Sequence, residues 1–186
     1  MSSDLLQVGE EYLARGMFAD AIAEYSKVIE KYPQMVEAYI GRASAYRAQG
    51  DIDRALEDYS KAIRLNPAEL RAYKGRGDAY MALGTAVCAV SDYTEAIKMS
   101  PRASELYVGR ASAYMELGMH QHAINDYEKA IDMTPEDACF YDRRGMAYHN
   151  LHEYERAIED YNRAIELNPK FAAAFNHRGL VYQSRG

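Results

Sequence analysis

The sequence predicts an all-α protein made of repeated pairs of antiparallel helices. The first observation is a fixed period, because each of the five prolines lies 34 residues from the next. The second is that tyrosines recur at the same places in each period, and the third is that glycine or alanine does so too. A fixed period of this length indicates a repeat architecture. With proline at position 32, the full repeats are 2–35, 36–69, 70–103, 104–137 and 138–171, and a partial repeat covers 172–186.

Positions 4, 8 and 11 of each unit predict its first helix, which we name helix A. Position 4 is aromatic in every unit after the first, and position 8 is always glycine or alanine. This spacing of three to four residues is typical of one face of an amphipathic helix. Position 11 is tyrosine throughout: Tyr12, Tyr46, Tyr80, Tyr114, Tyr148 and Tyr182.

Positions 20, 24, 27 and 28 predict the second helix, helix B, with alanine at position 20 and tyrosine at position 24. Glycine at position 15 supplies the turn between the two helices in the first four units. In the fifth unit that place is taken by His152. Because histidine is among the residues that tolerate a positive φ best, we expect the turn to survive. The partial repeat 172–186 contains helix A alone.

With these columns the chain resembles the tetratricopeptide repeat (TPR) family over its whole length. The family pattern has an aromatic at position 4, a small residue at 8, tyrosine at 11, alanine at 20, an aromatic at 24, alanine at 27 and proline at 32. The departures are His152, Val28 at position 27, and arginine at position 7 where the family usually has leucine. The resemblance implies a right-handed superhelical solenoid of antiparallel helix pairs, here one domain over 1–186. A helices would line a concave groove and B helices the convex side.

Composition excludes several classes of function. The chain carries 22 Lys and Arg against 28 Asp and Glu, a net charge of −6, whereas nucleic-acid binding needs clustered cations. No run of 18 apolar residues occurs, so we expect neither a membrane span nor a signal peptide. Cys88 and Cys139 do not form a disulfide framework by their spacing. We therefore expect an intracellular, cytoplasmic protein without nucleic acid or membrane as a partner.

The sequence predicts no enzyme, cofactor or metal site. The tyrosine columns could be a base-stacking platform, but they recur at core-facing helical positions, which favours buried rings. His149 and His152 are three residues apart, as a zinc site could require, but no third ligand accompanies them, and the same holds for His120 and His122. No glycine-rich phosphate loop, nucleophile elbow or carboxylate dyad is recognisable.

An ion-pair ladder is predicted by two charged columns. Position 7 is arginine from the second repeat onward, and position 23 is acidic in all five full repeats. If each acid paired within its own repeat, Glu24 and Arg178 would lack partners; pairing with the next repeat leaves no acid alone. We therefore predict inter-repeat pairs, with ligand binding by the arginines as the alternative. The pairs are Glu24–Arg42, Asp58–Arg76, Asp92–Arg110, Asp126–Arg144 and Asp160–Arg178.

The predicted peptide groove follows from helical geometry and the resemblance. Positions 2, 5, 9, 12 and 13 lie roughly 140° from the core-facing side of helix A, and the family binds its ligands there. Methionines on this stripe could adapt to an apolar peptide, and Arg47, Arg71 and Lys74 form a basic spot. Alternatively, the aliphatic residues merely pack adjacent A helices. The candidate residues are Ile40, Arg47, Arg71, Lys74, Asp78, Met81, Val108, Met115, Met146 and His149.

The sequence thus predicts a non-catalytic protein-protein interaction scaffold that binds a peptide or partner protein in the groove. The family's carboxylate clamp is absent, because only Lys74 and Arg143 match its pattern. The alternative is a structural TPR segment of a larger protein or assembly, without a ligand of its own. Phe175, Gly179 and Tyr182 keep core-facing residue types although no helix B follows them. We therefore expect either a longer array or weak self-association through the C-terminal helix.

Overall fold

The computed structural model describes residues 2–185, with side chains from Leu6 to Arg185. Leu5, the position-4 residue of the first repeat, lies outside the described side chains, as Met1 and Gly186 lie outside the described residues. This part of the chain is all-α, as predicted. Its helices are α1 (Ser2–Ala14), α2 (Phe18–Lys31), α3 (Val36–Gln49), α4 (Ile52–Leu65), α5 (Leu70–Ala82), α6 (Ala86–Met99), α7 (Ser104–Glu116), α8 (His120–Met133), α9 (Ala138–Asn150), α10 (Tyr154–Leu167) and α11 (Ala172–Arg185).

The helices form two compact units, unit 1 (Met1–Met99) and unit 2 (Ser100–Gly186). Odd-numbered helices are A helices and even-numbered helices are B helices. In unit 1 the hairpins α1–α2, α3–α4 and α5–α6 pack in sequence, and α3 also contacts α1 and α5. In unit 2 the hairpins α7–α8 and α9–α10 are followed by α11, which packs on both α9 and α10. One continuous superhelical solenoid over 1–186 remains a prediction.

The turn inside each hairpin uses one left-handed residue at position 15. Gly16, Gly50, Gly84 and Gly118 have φ between 69° and 91°, and His152 has φ 61°. The next N–H then donates to the carbonyl of the tyrosine at position 11, as in Glu153 N–H to Tyr148 O at 2.9 Å. This closes the C-terminus of helix A. The prediction that histidine sustains this turn is confirmed.

The position-24 tyrosines form the centre of the core, as the sequence predicts. Tyr59 is 1% exposed, and its ring lies between helix A of its own hairpin and helix A of the next. The Tyr59 hydroxyl lies 3.0 Å from Ser44 Oγ on α3. On α5, a Cβ atom added to Gly75 would lie 2.5 Å from the ring, so glycine is what permits the close approach. One tyrosine thus joins two hairpins.

Candidate functional site

The arginine ladder exists, but its pairs lie within repeats. Arg42 Nε donates to Asp58 Oδ2 at 2.7 Å and Nη2 donates to Oδ1 at 2.9 Å, so one fork binds one carboxylate bidentately. The same geometry joins Arg76 to Asp92, Arg110 to Asp126 and Arg144 to Asp160. The predicted inter-repeat pairs Glu24–Arg42, Asp58–Arg76, Asp92–Arg110, Asp126–Arg144 and Asp160–Arg178 are therefore wrong.

Counting charged residues alone gives the wrong pairing, because Glu24 and Arg178 at the ends of the ladder have other partners. Position 7 of helix A faces position 23 of helix B across the same hairpin, which fixes the intra-repeat pairing. Glu24 pairs with Lys27 at 2.6 Å, one turn along its own helix. Arg178 Nη1 donates to Asn162 Oδ1 at 2.5 Å, on the helix before it. An inter-repeat contact does exist, but it runs from the third nitrogen, as in Arg42 Nη1 to Ser26 Oγ at 3.0 Å.

The pairs are built into the protein interior. The four aspartates are between 4% and 7% exposed, and each guanidinium lies beside the aromatic rings at positions 4 and 11. The hydrogen bond with Asp58 raises the pKa of Arg42. At Asp160 burial raises the carboxyl pKa although the bonds from Arg144 act in the opposite direction. An enclosed bidentate pair leaves these arginines little capacity for a ligand, so we assign them a structural role.

In unit 1 the candidate groove residues converge on Asp78. Tyr93 donates its hydroxyl to Asp78 Oδ1 at 2.8 Å, and Lys74 Nζ lies 3.3 Å from Oδ2. Arg47 Nη2 lies 3.9 Å from the same oxygen. Burial, followed by the charge of Asp78, raises the pKa of Tyr93. The predicted basic spot is therefore partly neutralised by a carboxylate at its centre.

The other three candidates in unit 1 are separate from this network. Arg71 Nε donates to Glu69 Oε1 at 2.9 Å, and this bond raises the pKa of Arg71. Ile40 is 8% exposed and packs in the core of the second hairpin, so its assignment to the groove is corrected to packing between helices. Met81 is half-buried on α5. Of the predicted basic spot, only Arg47 and Lys74 share a partner.

In unit 2 the face of the A helices contains a cavity of about 190 Å³. Two predicted residues, Met115 on α7 and Met146 on α9, line it together with Ser112, Tyr127 and Arg143. Met146 is 38% exposed, and the exposed Arg143 donates from Nη1 to Ser112 Oγ at 3.2 Å. The cavity is thus mainly apolar, with one cation beside it. Ser112, Tyr127 and Arg143 were not among the predicted site residues.

The two remaining candidates in unit 2 lie beside this cavity's helices without lining it. Val108 packs, half-buried, on the cluster around Tyr127. His149 Nε2 lies 3.3 Å from Ser184 Oγ on α11, and its ring is 5.8 Å from that of Tyr154. Both side chains are occupied by contacts within unit 2. The structure therefore supports packing for Val108 and a link between α9 and α11 for His149.

Two buried polar atoms in the described part of unit 2 have no hydrogen-bond partner, His120 Nδ1 and the Tyr161 hydroxyl. Tyr161 is fully buried, and its hydroxyl has no hydrogen bond among the described residues. Asp142, which is 5% exposed, bonds instead to His177 Nδ1 at 2.8 Å. Burial raises the pKa of Tyr161. The sequence does contain a sign that the Tyr161 hydroxyl lacks a partner. Position 9 of this repeat is Met146, whereas in unit 1 the same position holds Ser44 and Asp78, which each place an oxygen beside the tyrosine hydroxyl.

Neither a metal cluster nor a membrane span accompanies these sites in the described part of the chain. Within residues 2–185, no three His, Cys, Asp or Glu side chains are grouped so that they could hold a metal ion. Among the helices described, none combines the length and the apolar character needed to cross a membrane.

The chain is similar to known helical repeat proteins. A family model described as TPR repeat matches residues 43–84 and 145–186, and three described as tetratricopeptide repeat match 12–57, 104–137 and 126–159. No curated protein sequence gave a significant match.

Solved structures share the fold. MamA is 26% identical, with a TM-score of 0.82 over 91% of this chain and 93% of that one. YrrB is 18% identical, with a TM-score of 0.82 over 94% and 90%. TTC0263 of Thermus thermophilus is 21% identical, with a TM-score of 0.71 over 98% and 100%. The matched models, the recurring columns and the hairpin geometry agree, and the chain belongs to the tetratricopeptide repeat family.

Proposed function

We propose that the protein is a non-catalytic interaction scaffold that binds a peptide segment of a partner protein on the face of its A helices. The family fold generally serves protein interaction. YrrB, which has the same fold, is described as a TPR protein with an unusual peptide-binding site. The observation that carries the proposal for this chain is the cavity of unit 2 between Met115 and Met146.

The chemistry of that cavity defines the ligand. Methionine side chains are flexible and polarisable, so they adapt to apolar side chains of different shape. Arg143 is exposed, and its guanidinium retains donors beyond the one directed at Ser112. An apolar side chain would enter the cavity, and a neighbouring carboxylate of the peptide would meet Arg143. The ligand is therefore a segment with an apolar residue beside an acidic one.

Unit 1 contributes a different surface. Arg47, Arg71, Lys74 and Asp78 offer donors and acceptors whose charges are partly compensated within the unit, and Met81 adds a half-buried apolar side chain. We propose that the four polar residues make weak polar contacts with a peptide segment at unit 1. Their net attraction for an acidic peptide is expected to be weak and screened by salt.

Peptide arrays followed by solution titration test the proposal. A library of apolar and acidic peptides is screened, and the best peptide is titrated with the full chain by fluorescence anisotropy. We expect Met146→Glu and Arg143→Glu each to weaken binding at least tenfold, and added salt to weaken it further. Met119→Glu is the matched control, because Met119 is 38% exposed like Met146 and does not line the cavity, and circular dichroism checks the fold of each variant. Equal affinity of the wild type, Met146→Glu and Arg143→Glu would refute the cavity as the binding site.

A second candidate function is a structural segment of a larger assembly. The chain matches a chain of the APC/C hetero-tetramer Cut9–Hcn1 at 26% identity, covering 97% of this chain and 36% of that one. The specific observation in favour is an uncovered helix face on α11, where Phe175 and Tyr182 are 43% and 54% exposed. A chain that binds no peptide of the library, although it is folded, would favour this function.

A further inference from the structure

The cavity of unit 2 exposes a tyrosine hydroxyl that has no partner. Tyr127 is 2% exposed and lines the cavity. In the described part of the chain no group bonds to its hydroxyl, although buried tyrosines usually bond to protein or to ordered water. The hydroxyl of Tyr161 is also unpaired but is enclosed, whereas that of Tyr127 can be reached from the cavity. The cavity therefore contains a hydrogen-bonding site that the protein leaves open.

The equivalent hydroxyl in unit 1 does have a partner. Ser44 and Tyr59 occupy positions 9 and 24 of the second repeat, and their hydroxyl oxygens are 3.0 Å apart. Ser112 and Tyr127 occupy the same positions in the fourth repeat, but Ser112 Oγ donates to the backbone carbonyl of Val108 at 2.9 Å. A serine and a tyrosine at these positions are therefore not sufficient for the bond.

Position 6 of the following repeat accounts for the difference. Beside Tyr59 it is Gly75, where an added Cβ atom would lie 2.5 Å from the ring. Beside Tyr127 it is Arg143, whose side chain excludes the same close approach. Arg143 Nη1 donates to Ser112 Oγ at 3.2 Å, so that oxygen is bound by the arginine and not by the tyrosine. The space in the cavity and the unpaired hydroxyl thus have one origin.

The cavity offers one open donor and one open acceptor. The Tyr127 hydroxyl can donate its proton. Ser112 Oγ gives its own proton to a backbone carbonyl and accepts from Arg143, which leaves one of its two lone pairs unused. The thioether side chains of Met115 and Met146 form the walls around these two groups. A fitting ligand group therefore has an apolar stem that ends in both an acceptor and a donor.

We propose that the cavity is specific for a carboxamide side chain, the glutamine of a peptide ligand. This inference rests on the proposed function and identifies the residue that enters the cavity. The amide carbonyl accepts from Tyr127, an amide N–H donates to Ser112, and the two methylene groups pack between the methionines. The volume of about 190 Å³ is below the roughly 300–1,000 Å³ of small-molecule sites, so it suits a single side chain.

Other side chains satisfy the cavity less well. Leucine would displace water from Tyr127 and Ser112 without replacing its hydrogen bonds. Glutamate has acceptors only, and its charge would lose water between two methionine side chains. Arg143 is exposed beside the cavity and stays available for the acidic neighbour in the peptide. The amide is thus selected by the polar groups, and the acid by the cation outside.

Three versions of one peptide test the assignment. In the best peptide from the array, the residue whose change to alanine costs most affinity is replaced by glutamine, methionine or glutamate. Each peptide is titrated with the full chain by fluorescence anisotropy. We expect glutamine to bind at least fivefold more tightly than the other two, and Tyr127→Phe to reduce its advantage over methionine to less than twofold. Tyr161→Phe, which removes a hydroxyl outside the cavity, is the matched control and should keep the preference.

The outcomes separate this inference from the proposed function. Because the Tyr127 hydroxyl has no partner in the free protein, Tyr127→Phe should leave the thermal midpoint unchanged. Binding that Met146→Glu weakens, but in which glutamine has no advantage or keeps it in Tyr127→Phe, would overturn the carboxamide assignment alone. Equal weakening of all three peptides by Tyr127→Phe would overturn it as well, because the hydroxyl would then bond to the peptide backbone. Binding by none of the peptides, or binding indifferent to Met146→Glu, would overturn both.

Discussion

Units 1 and 2 use the same hairpin but differ at two columns of helix A. Both contain the bidentate pair between positions 7 and 23 and a buried tyrosine at position 24. In unit 1, position 6 is glycine at Gly75, and position 9 supplies a tyrosine partner such as Asp78. In unit 2, position 6 is glycine in the fourth repeat (Gly109) but Arg143 in the fifth and His177 in the partial repeat, and position 9 is Met146 in the fifth repeat. The tyrosine is buried in both units, so the difference lies in its hydroxyl, which bonds to the position-9 residue at Tyr59 and Tyr93 and has no partner at Tyr161, where position 9 is Met146.

The largest expected effect concerns the feature that both units share. Arg76→Ala leaves the buried Asp92 unpaired and should destabilise the protein by about 3 kcal/mol. The double-mutant cycle of Arg76 with Asp92 should give strong coupling, and Arg110 with Asp126 in unit 2 should behave alike. Denaturant unfolding measures both. Coupling of Arg76 to Asp58 instead of Asp92 would restore the inter-repeat assignment.

Alkaline pH should lower the folding stability of both units, because their buried tyrosines ionise. Burial raises the pKa of Tyr25 to about 12 from its usual value near 10, and burial also raises the pKa of Tyr161. A raised pKa contributes stability that is complete below pH 10 and is lost as pH rises towards 12, up to about 3 kcal/mol for Tyr25. Denaturation at several alkaline pH values measures this loss. Tyr25→Phe should make it smaller, and an unchanged pH dependence in that variant would contradict the account.

Two glycine-to-alanine substitutions should have opposite effects on the stability of the protein. Gly75→Ala places a methyl group against the buried Tyr59 ring, which costs about 1–3 kcal/mol and outweighs the gain of up to about 1 kcal/mol in helix propensity. Gly179→Ala meets no neighbour and should gain that propensity, raising the thermal midpoint slightly. Both are read by thermal unfolding. Destabilisation by Gly179→Ala would mean that the outer face of α11 is covered.

Removing a buried tyrosine hydroxyl should affect stability differently in the two units. Tyr93→Phe removes a hydrogen bond to the carboxylate of Asp78 and should cost about 1–2 kcal/mol. Tyr161→Phe removes a buried hydroxyl that has no partner, so stability should stay the same or rise by up to about 1 kcal/mol. Urea denaturation of the two variants compares them directly. A cost at Tyr161 equal to that at Tyr93 would contradict the difference between the units.

The fold could be predicted from the sequence because each hairpin repeats the same local information. Tyrosine at positions 11 and 24 and small residues at 8 and 20 specify two amphipathic helices, and His152 takes the left-handed turn as expected. A column that sequence reasoning passed over is position 10, where Ala45, Ala79 and Ala113 are fully buried. The recurring alanine was visible in the sequence, but a single helical hairpin gives no reason to bury it.

The site could be predicted only in part. Met115 and Met146 were found because they lie on one stripe of helix A, but the cavity also needs Tyr127 from a B helix. A helical projection treats one helix at a time, so it cannot show residues that meet across helices. The same limit applies to Ile40, which lies on the predicted stripe and is buried by its neighbours. The ladder was assigned wrongly because residue counting ignored uncharged partners such as Asn162.

Methyl NMR of the methionines during a titration with the selected peptide tests the central claim most directly. The anchor of the ligand is proposed to lie in the cavity of unit 2. We expect the largest shifts at the Met115 and Met146 methyl groups, no comparable shift at the exposed Met119, and loss of the Met115 shift in Met146→Glu. Saturating binding that leaves the Met115 and Met146 methyl groups unshifted would contradict this claim.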